Sequence, residues 1–316
     1  MKVVLIGFGS SGKRHVKNLI NMGIRNIILF RKLKKGNEFN LNEISDFDEI
    51  IRINPDFVIV SNPTAFHFET LKFLIVNKFN ILCEKPLLNK STEWVLLKEL
   101  MKDYNGIARI FFNLRFHPCI IKVNDLIKNN YLGKLYSARF FIGQYLPDWR
   151  PHTNHLESYS ANKKMGGGVV NDLVHEIDIA EYLISKPQEI IHSIATKLSD
   201  LTLDSEDIAE IIYKTKNNIV VNIHLDYLCR GYSRNFLIIG SNYNLYCDLF
   251  KNTIKITGDN NQIIESFQFE NFERNHMYSK ALDNYINLLN GNLTESKLPT
   301  FFENESVMKT CFKINN

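Results

Sequence analysis

Short apolar runs alternate with segments of helical period along the first third of the chain. The runs with the length and continuity of buried strands are 3–6, 27–30, 56–60, 80–83 and 107–112, and the segments with helical period are 13–22, 65–77 and 91–103. Fully apolar strands that alternate with helices are typical of a parallel sheet covered on both faces. Connections in such sheets are right-handed, so the pattern predicts an α/β domain over 1–117 with a doubly wound parallel sheet.

The pattern changes after residue 117. One helix is predicted over 169–184, and residues 219–225 then alternate between apolar and polar, which is typical of a strand with one buried face. Further strands are predicted at 236–240, 245–249, 253–257 and 263–269, followed by helices near 276–290 and 303–313. Residues 118–316 are therefore predicted to form an α+β domain with a mainly antiparallel sheet.

Composition narrows the class of protein. The chain has 316 residues with 38 basic and 34 acidic side chains, and no run of five like charges, so we expect no nucleic-acid or membrane partner. The five cysteines are widely spaced without a CxxC pair, which predicts no metal site and a reducing compartment. No apolar stretch approaches the roughly 20 residues of a membrane span. We therefore expect a soluble cytoplasmic protein.

A glycine-rich turn follows the first predicted strand and opens the first helix. Gly7, Gly9 and Gly12 form the pattern GxGxxG, with Ser10 and Ser11 between the last two. In this context the first glycine permits a tight turn, the second lets backbone approach a pyrophosphate, and the third lets helix and strand pack closely. The helix N-terminus adds N–H donors for phosphate. The turn predicts a dinucleotide cofactor; the alternative is an ordinary glycine turn.

The end of the second predicted strand bears on which dinucleotide binds. An acidic residue there would bind the ribose 2′-hydroxyl, but the chain has Arg31 and Lys32. An arginine can bind a 2′-phosphate through two hydrogen bonds. The sequence therefore favours NADP(H) and leaves NAD(H) open; the alternative is an exposed basic turn.

Four blocks of residues together resemble one family of oxidoreductases. They are the glycine turn, Asn62-Pro63-Thr64 with His67, Glu84-Lys85-Pro86, and Gly166-Gly167-Gly168 followed by Asp172, His175 and Asp178. In this order they are similar to the glucose–fructose oxidoreductase and inositol dehydrogenase (Gfo/Idh/MocA) family. The resemblance implies a Rossmann domain that binds the cofactor through the first three blocks. It also implies a second domain whose sheet builds a homodimer or homotetramer, and reversible hydride transfer at a hydroxyl carbon of a sugar or cyclitol.

Lys85 is the first candidate catalytic residue. It follows the apolar run that ends at Cys83, and so lies at the carboxyl edge of the predicted sheet, where ligands of open α/β folds bind. Oxidation of an alcohol removes the hydroxyl proton as the hydride leaves, and reduction returns it; a lysine beside cofactor and substrate can do either. The alternative is a surface lysine in a loop.

Asp172 and His175 are the other candidate catalytic residues. On a continuous helix over 169–184 they lie about 60° apart on one side, opposite an apolar stripe. Both can hydrogen-bond a sugar hydroxyl, and His175 can act as an acid or base. Family members often place three residues between this Asp and His; here two intervene, which leaves the division of roles between Lys85 and His175 open. The alternative is a structural histidine.

Two loops carry further candidates. Arg115, just after the last predicted Rossmann strand, is predicted to face the nicotinamide or the substrate. Trp149 and Arg150 resemble a Trp-Arg pair that many family members place near the cofactor, and Tyr145 or Tyr159 could line a sugar pocket. The alternative for these loops is a packed corner.

The leading hypothesis is an NAD(P)-dependent sugar oxidoreductase. The segment 145–178 resembles the branch of the family associated with modified or nucleotide-activated sugars, as in surface-glycan biosynthesis. A second hypothesis is a non-catalytic, dinucleotide-binding regulator or scaffold, suggested by the shortened Asp-to-His spacing. A third is transient oxidation that drives elimination or glycoside cleavage. The sequence leaves the sugar and the direction of reaction open.

Overall fold

The chain folds into two compact units. A computed structural model describes residues 1–149 and 159–315. The first unit contains residues 1–113 and 278–304, and the second contains 114–277 and 305–316. The predicted domain boundary between 117 and 118 stays a prediction. No helix in the described part is both long and apolar enough to cross a membrane.

The first unit contains a parallel sheet in the strand order β3-β2-β1-β4-β5-β6, which confirms the predicted doubly wound fold. Its described strands are β1 (Lys2–Ile6), β2 (Asn26–Phe30), β3 (Asn42–Ile44), β4 (Phe57–Val60), β5 (Ile81–Cys83) and β6 (Ala108–Ile110). The helices between them are α1 (Ser10–Asn21), α2 (Phe47–Ile53), α3 (His67–Val76) and α4 (Ser91–Leu100). Apart from Lys2 at the start of β1, the central strands β1 and β4 are apolar and buried, as strands covered on both faces must be.

A late segment of the chain completes the first unit. Tyr285 is fully buried, with its ring 5.4 Å from that of Phe57 and its hydroxyl donating to the Ile107 carbonyl at 3.0 Å. The backbone N–H of Ile110 donates to the carbonyl of Pro299 at 3.0 Å. Residues far apart in sequence therefore cover the β6 side of this sheet.

The second unit contains a sheet in the order β14-β13-β12-β11-β7-β10-β9-β8. All described pairs are antiparallel except β7 with β10, which confirms the mainly antiparallel prediction. The strands are β7 (Leu135–Gly143), β8 (Pro187–Thr196), β9 (Ile208–Thr215), β10 (Val220–Asp226), β11 (Ser233–Gly240), β12 (Asn244–Asp248), β13 (Thr253–Thr257) and β14 (Ile263–Gln268). The remaining helices are α5 (Pro118–Lys128), α6 (Val169–Asp172), α7 (His175–Leu183), α8 (Arg274–Leu289) and α9 (Glu305–Asn315). Only the first part of α8 belongs to this unit.

The prediction of a single helix over 169–184 is wrong. It is broken into α6 and α7 at Leu173, whose φ of −98° and ψ of 20° interrupt the helix. Leu173 and Val174 are both buried, and buried apolar residues continue on either side of the break. A periodicity argument cannot detect such a break, because the apolar pattern is unchanged across it.

Glu181 on α7 makes the stability of the second unit depend on pH. Its carboxyl accepts a hydrogen bond from the Ser306 hydroxyl at 3.0 Å, and burial raises the pKa of Glu181 to about 8. The folded state therefore holds this proton more tightly than the unfolded state does. Stability is highest below the unfolded pKa and falls as pH rises toward the folded pKa. From pH 4.5 to 7 we expect the free energy of unfolding to fall by about 3 kcal/mol from this group.

Urea denaturation at several pH values checks this expectation. Glu181→Gln should remove most of the loss in stability between pH 5 and 8, and the exposed Glu189→Gln on β8 should leave it unchanged. Parallel pH profiles of Glu181→Gln and the unsubstituted chain would contradict the assignment.

Candidate functional site

Three neighbouring strands of the parallel sheet end at the same edge. Ile6 at the end of β1 lies opposite Val60 of β4, and Val60 lies opposite Cys83 of β5. The segments that follow are the glycine turn from Gly7, the segment from Ser61, and Glu84-Lys85-Pro86. Register alone therefore brings three of the predicted motifs to one carboxyl edge, where ligands of open α/β sheets bind.

The glycine turn has no room for side chains at two of its three glycines. Gly7 has φ of +93°, and a Cβ there would overlap the backbone of Asn62. A Cβ on Gly12 would overlap the carbonyl oxygen of Gly7, which also accepts a hydrogen bond from the Ser61 hydroxyl at 2.8 Å. A Cβ on Gly9 would meet nothing within 4 Å. The turn is closed at its base and open at Gly9, which fits a pyrophosphate.

Helix α1 starts at this opening. Ser10 and Ser11 form its first turn, and its N-cap residue Gly9 supplies no side-chain hydrogen bond. The first turn carries no acidic residue that would repel phosphate. Backbone N–H groups and the helix dipole are therefore suited to a bound anion.

The segment after β4 forms the neighbouring wall. Asn62 donates from its Nδ2 to the Thr70 hydroxyl at 3.1 Å, whereas its buried Oδ1 has no hydrogen-bond partner among the described residues. Pro63 precedes a short 3₁₀ helix that begins at the buried Thr64. An orphan acceptor beside the glycine turn is a further feature that suits a bound dinucleotide.

His67 is buried beneath this wall. Its Nδ1 lies 3.0 Å from the carbonyl oxygen of Leu87 and its Nε2 lies 2.9 Å from that of Asn62. Burial lowers the pKa of His67. Because both ring nitrogens face main-chain oxygens, His67 positions the loops after β4 and β5, and its predicted contact with the cofactor stays a prediction.

Glu84 is tied to helix α1. Its Oε1 lies 2.8 Å from Nε2 of His15, a buried residue whose ring contacts Phe111 edge-on at 4.6 Å. Lys85 follows and is half-buried, and its peptide bond to Pro86 is cis. The loop that carries Lys85 is thus fixed to the helix that begins at the glycine turn.

Asp172 and His175 lie on the two sides of the break between α6 and α7. The hydroxyl of Tyr227 donates to Asp172 Oδ2 at 2.7 Å, and Tyr227 is fully buried. Trp149 contacts the Tyr227 ring edge-on at 5.3 Å and donates from Nε1 to the Gln144 carbonyl at 3.2 Å. His175 is half-buried as the first residue of α7. Asp172 and Trp149 are therefore joined through Tyr227.

Arg115 is held in a buried ion pair. Its Nε and Nη2 donate to the two carboxylate oxygens of Asp178 at 2.9 and 2.5 Å, and its guanidinium lies 4.6 Å from the ring of Tyr182. Asp178 is fully buried. Two of its nitrogens are used by Asp178, so Arg115 has a role in fixing α7, and its predicted contact with nicotinamide or substrate stays a prediction.

Arg31 also has an acidic partner. Its Nη1 lies 3.1 Å from Oε1 of Glu43 and donates to the Gly36 carbonyl at 3.0 Å. The Glu43 side chain is only 6% exposed, and hydrogen bonds from the Asn37 amide and then from the Lys35 backbone lower its pKa. The basic end of β2 is therefore partly neutralised, which the sequence spacing did not indicate.

The remaining candidates are distributed as follows. Lys32 is exposed, with its Nζ 5.4 Å from the ring centre of Phe66. Tyr145 lies against the guanidinium of Arg230, 3.6 Å from ring centre to Cζ. Arg150 lies outside the described residues, as does the side chain of Tyr159. In the described part, no group of three or more His, Cys, Asp or Glu could hold a metal ion.

Two family profiles match consecutive parts of the chain. Residues 1–112 match an oxidoreductase family profile with an NAD-binding Rossmann fold, and residues 120–246 match the GFO/IDH/MocA C-terminal domain. The chain belongs to the Gfo/Idh/MocA family. The resemblance inferred from the four blocks of residues is therefore confirmed.

Two relatives of the chain are sugar dehydrogenases. Levoglucosan dehydrogenase of Pseudarthrobacter phenanthrenivorans is 29% identical over 52% of this chain and 42% of its own length. Glucose-6-phosphate 3-dehydrogenase of Bacillus subtilis is 27% identical over 70% of this chain and 66% of its own length. The chain thus aligns with less than two thirds of either relative. The solved structure of a levoglucosan dehydrogenase with NADH and levoglucosan has the same fold, with a TM-score of 0.85 at 19% identity, and covers 99% of this chain and 95% of its own.

Three residues of the site are not part of the family motifs and were not predicted from the sequence. His15 and Tyr227 hold Glu84 and Asp172, and Glu43 pairs with Arg31. His15 lies in α1, five residues after the helix begins. This position in the helix is the signal from which its contact with Glu84 could have been suspected. Tyr227 and Glu43 lie 55 and 12 residues from their partners, and only the fold brings them there.

Proposed function

We propose that the chain is an NAD(P)-dependent dehydrogenase or reductase that acts on a CH–OH group of a sugar. The proposed substrate is a modified or nucleotide-activated sugar, as used in surface-glycan biosynthesis. The relatives that act on levoglucosan and glucose 6-phosphate support the sugar class. The wide spacing of the five cysteines and the lack of a CxxC pair support a reducing compartment such as the cytoplasm.

One observation carries the proposal. The register of β1, β4 and β5 brings the open glycine turn and Lys85 to the same edge of one sheet. A dinucleotide held at Gly9 and the first turn of α1 would lie at the edge that also carries an amine able to transfer a proton. When bound, the nicotinamide supplies or accepts the hydride.

The chain's own residues handle the proton and the hydroxyl groups. Lys85 is proposed to take the proton from the reacting hydroxyl in oxidation and to return it in reduction. Asp172, held by Tyr227, is proposed to accept a hydrogen bond from a sugar hydroxyl, and His175 to act as a second proton donor or acceptor. The Arg115–Asp178 pair and the Glu84–His15 pair are proposed to position these groups.

The proposal is tested by turnover with a sugar panel. The purified chain is mixed with NAD⁺ or NADP⁺ and free, phosphorylated or nucleotide-linked sugars, and formation of the reduced cofactor is followed by absorbance. Saturable turnover with at least one sugar is expected. Tight cofactor binding without redox change on any sugar would favour the regulator hypothesis, and isotope exchange without net cofactor consumption would favour transient oxidation.

The preference for NADP(H) that Arg31 and Lys32 predict depends on Glu43. Since the carboxylate of Glu43 is paired with the Arg31 guanidinium, a 2′-phosphate must compete with this carboxylate for Arg31. We expect Glu43→Gln to shift the ratio of NADPH to NADH affinity toward NADPH by about tenfold, since a charge-assisted hydrogen bond is freed. Fluorescence titration of both cofactors measures the ratio.

A second variant separates the two causes. Arg31→Ala should abolish the shift in the Glu43→Gln background, and the exposed Glu99→Gln should leave the ratio unchanged. A ratio that is the same in Glu43→Gln and the unsubstituted chain would show that Arg31 does not read the phosphate.

We further propose a homo-oligomer through one face of the eight-stranded sheet. The strand pairing places Ile194, Val220 and Tyr246 on the same face, and their side chains are 48%, 42% and 42% exposed. Apolar surface of this kind is typical of a protein–protein contact. Light scattering should show a dimer or tetramer that Val220→Glu weakens; a monomeric mass at micromolar concentration would contradict the proposal.

A further inference from the structure

A cavity of about 420 Å³ opens within the second unit. It is built by the residues just before and at the start of α5, the end of β7, the start of β11, the turn between β12 and β13, and the start of α8. The lining residues are Leu114, His117, Gln144, Tyr232, Arg234, Leu249, Phe250, Asn252, Phe272, Arg274 and Met277. The volume is in the range of small-molecule sites.

The charge of the lining is basic. It contains two arginines and no carboxylate. Arg234 is neutralised by Glu176, whose carboxylate oxygens lie 2.5 and 2.9 Å from its Nε and Nη2. Arg274 is exposed and makes no ion pair with any residue in the described part of the chain. One exposed guanidinium in the lining, with no ion-pair partner in the described part of the chain, favours an anionic group of the ligand.

The polar and aromatic groups of the lining favour a flat ligand. The backbone N–H of Cys119 donates to His117 Nδ1 at 3.2 Å, so Nε2 carries the proton and donates to Asn252 Oδ1 at 3.2 Å. Both ring nitrogens of His117 are therefore already used within the protein. Phe250 is 61% exposed, and its ring meets that of Tyr232 edge-on at 5.3 Å. A ligand with an aromatic ring would cover this apolar surface.

Contacts link the lining of the cavity to the proposed catalytic groups of the same unit. Glu176, which binds Arg234 at the wall, directly follows His175. On the other side, the carbonyl of Gln144 accepts from Trp149, which contacts the Tyr227 ring that holds Asp172. Two short chains of contacts thus run from the lining toward Asp172 and His175, which are not themselves among the lining residues.

We propose that this cavity binds the nucleoside diphosphate part of a nucleotide-activated sugar. The diphosphate lies toward Arg274, the base against Tyr232 and Phe250, and the sugar toward Asp172 and His175. This inference rests on the proposed function for the identity of the attached sugar. A lone phosphate would use Arg274 alone and would leave the aromatic wall exposed.

Titration of UDP into the chain saturated with NADH tests the assignment, since saturation removes the Rossmann site from competition. We expect Arg274→Ala to raise the dissociation constant of UDP at least tenfold and to weaken its dependence on salt, and Phe250→Ala to raise it several-fold. Both side chains are exposed, so neither change threatens the fold, and circular dichroism checks this. Arg25→Ala, an exposed arginine in the first unit, is the matched control and should leave UDP binding unchanged.

The other outcomes separate the cavity from the proposed function. Turnover of a free sugar without measurable UDP binding overturns the cavity assignment and leaves the proposed function standing. UDP binding that depends on Arg274 without turnover of any sugar supports the cavity and counts against the proposed function. Equal affinities for pyrophosphate and UDP, or for UDP in Phe250→Ala and the unsubstituted chain, would overturn the role of the aromatic wall.

Discussion

Replacing Lys85 with alanine is expected to lower kcat for sugar oxidation by about 10²- to 10⁴-fold, the usual contribution of a positioned acid or base. The loop that carries Lys85 is fixed by the Glu84–His15 contact, so the neighbouring backbone should keep its place in the variant. The dissociation constant of NADH should change by less than a few-fold, because the glycine turn and α1 are untouched. Steady-state kinetics and cofactor titration measure the two effects separately.

The exposed Lys90, five residues along the same loop, supplies the matched control. Its ammonium pairs with Glu93 at 3.6 Å, and Lys90→Ala should retain full turnover. Added methylamine should restore part of the activity of Lys85→Ala if the missing group is an amine that moves a proton. Unchanged turnover in Lys85→Ala would remove Lys85 from the mechanism.

Arg115→Ala is expected to lower the free energy of unfolding of the second unit by about 3–5 kcal/mol, as removal of one partner from a buried ion pair does. Asp178 is fully buried and both of its carboxylate oxygens accept from Arg115, so the variant leaves a charge in the core without its partner. The chain has two tryptophans, and Trp149 in the second unit can report its urea denaturation in a Trp94→Phe background.

A double substitution shows that the unpaired charge is the cause. Arg115→Met with Asp178→Leu should be less destabilising than Arg115→Ala alone, because no buried charge remains. Lys309→Ala, which breaks an exposed pair with Glu305 on α9, should cost no more than about 0.5 kcal/mol. A small effect of Arg115→Ala, comparable to that of Lys309→Ala, would show that Asp178 is neutral or solvated.

The parts of the fold that follow from local pattern could be predicted from the sequence. The apolar runs of strands β1, β4 and β5 and the glycine turn between β1 and α1 depend on residues close together in the chain. The three-residue strand β3 is too short for its pattern to stand out, and the edge strand β8 has bulges that disturb its alternation. The break in α6–α7 lies within an uninterrupted apolar pattern.

The motifs of the candidate site could be predicted from the sequence, whereas the partners of its side chains could not. Lys85 stands out because its motif follows a strand, whereas the use of Arg115 depends on Asp178, 63 residues away. An arginine beside a predicted site has the same local pattern whether it binds substrate or a buried carboxylate. Only the three-dimensional partner decides between the two.

The return of the chain to the first unit limits how the protein can be divided. A fragment that ends at Asn113 would lack Tyr285 and Pro299, exposing Phe57 and the β6 edge to water. The cofactor-binding half therefore cannot be obtained by a single truncation. A soluble version requires that the segment 278–304 be joined to residue 113 through a new linker.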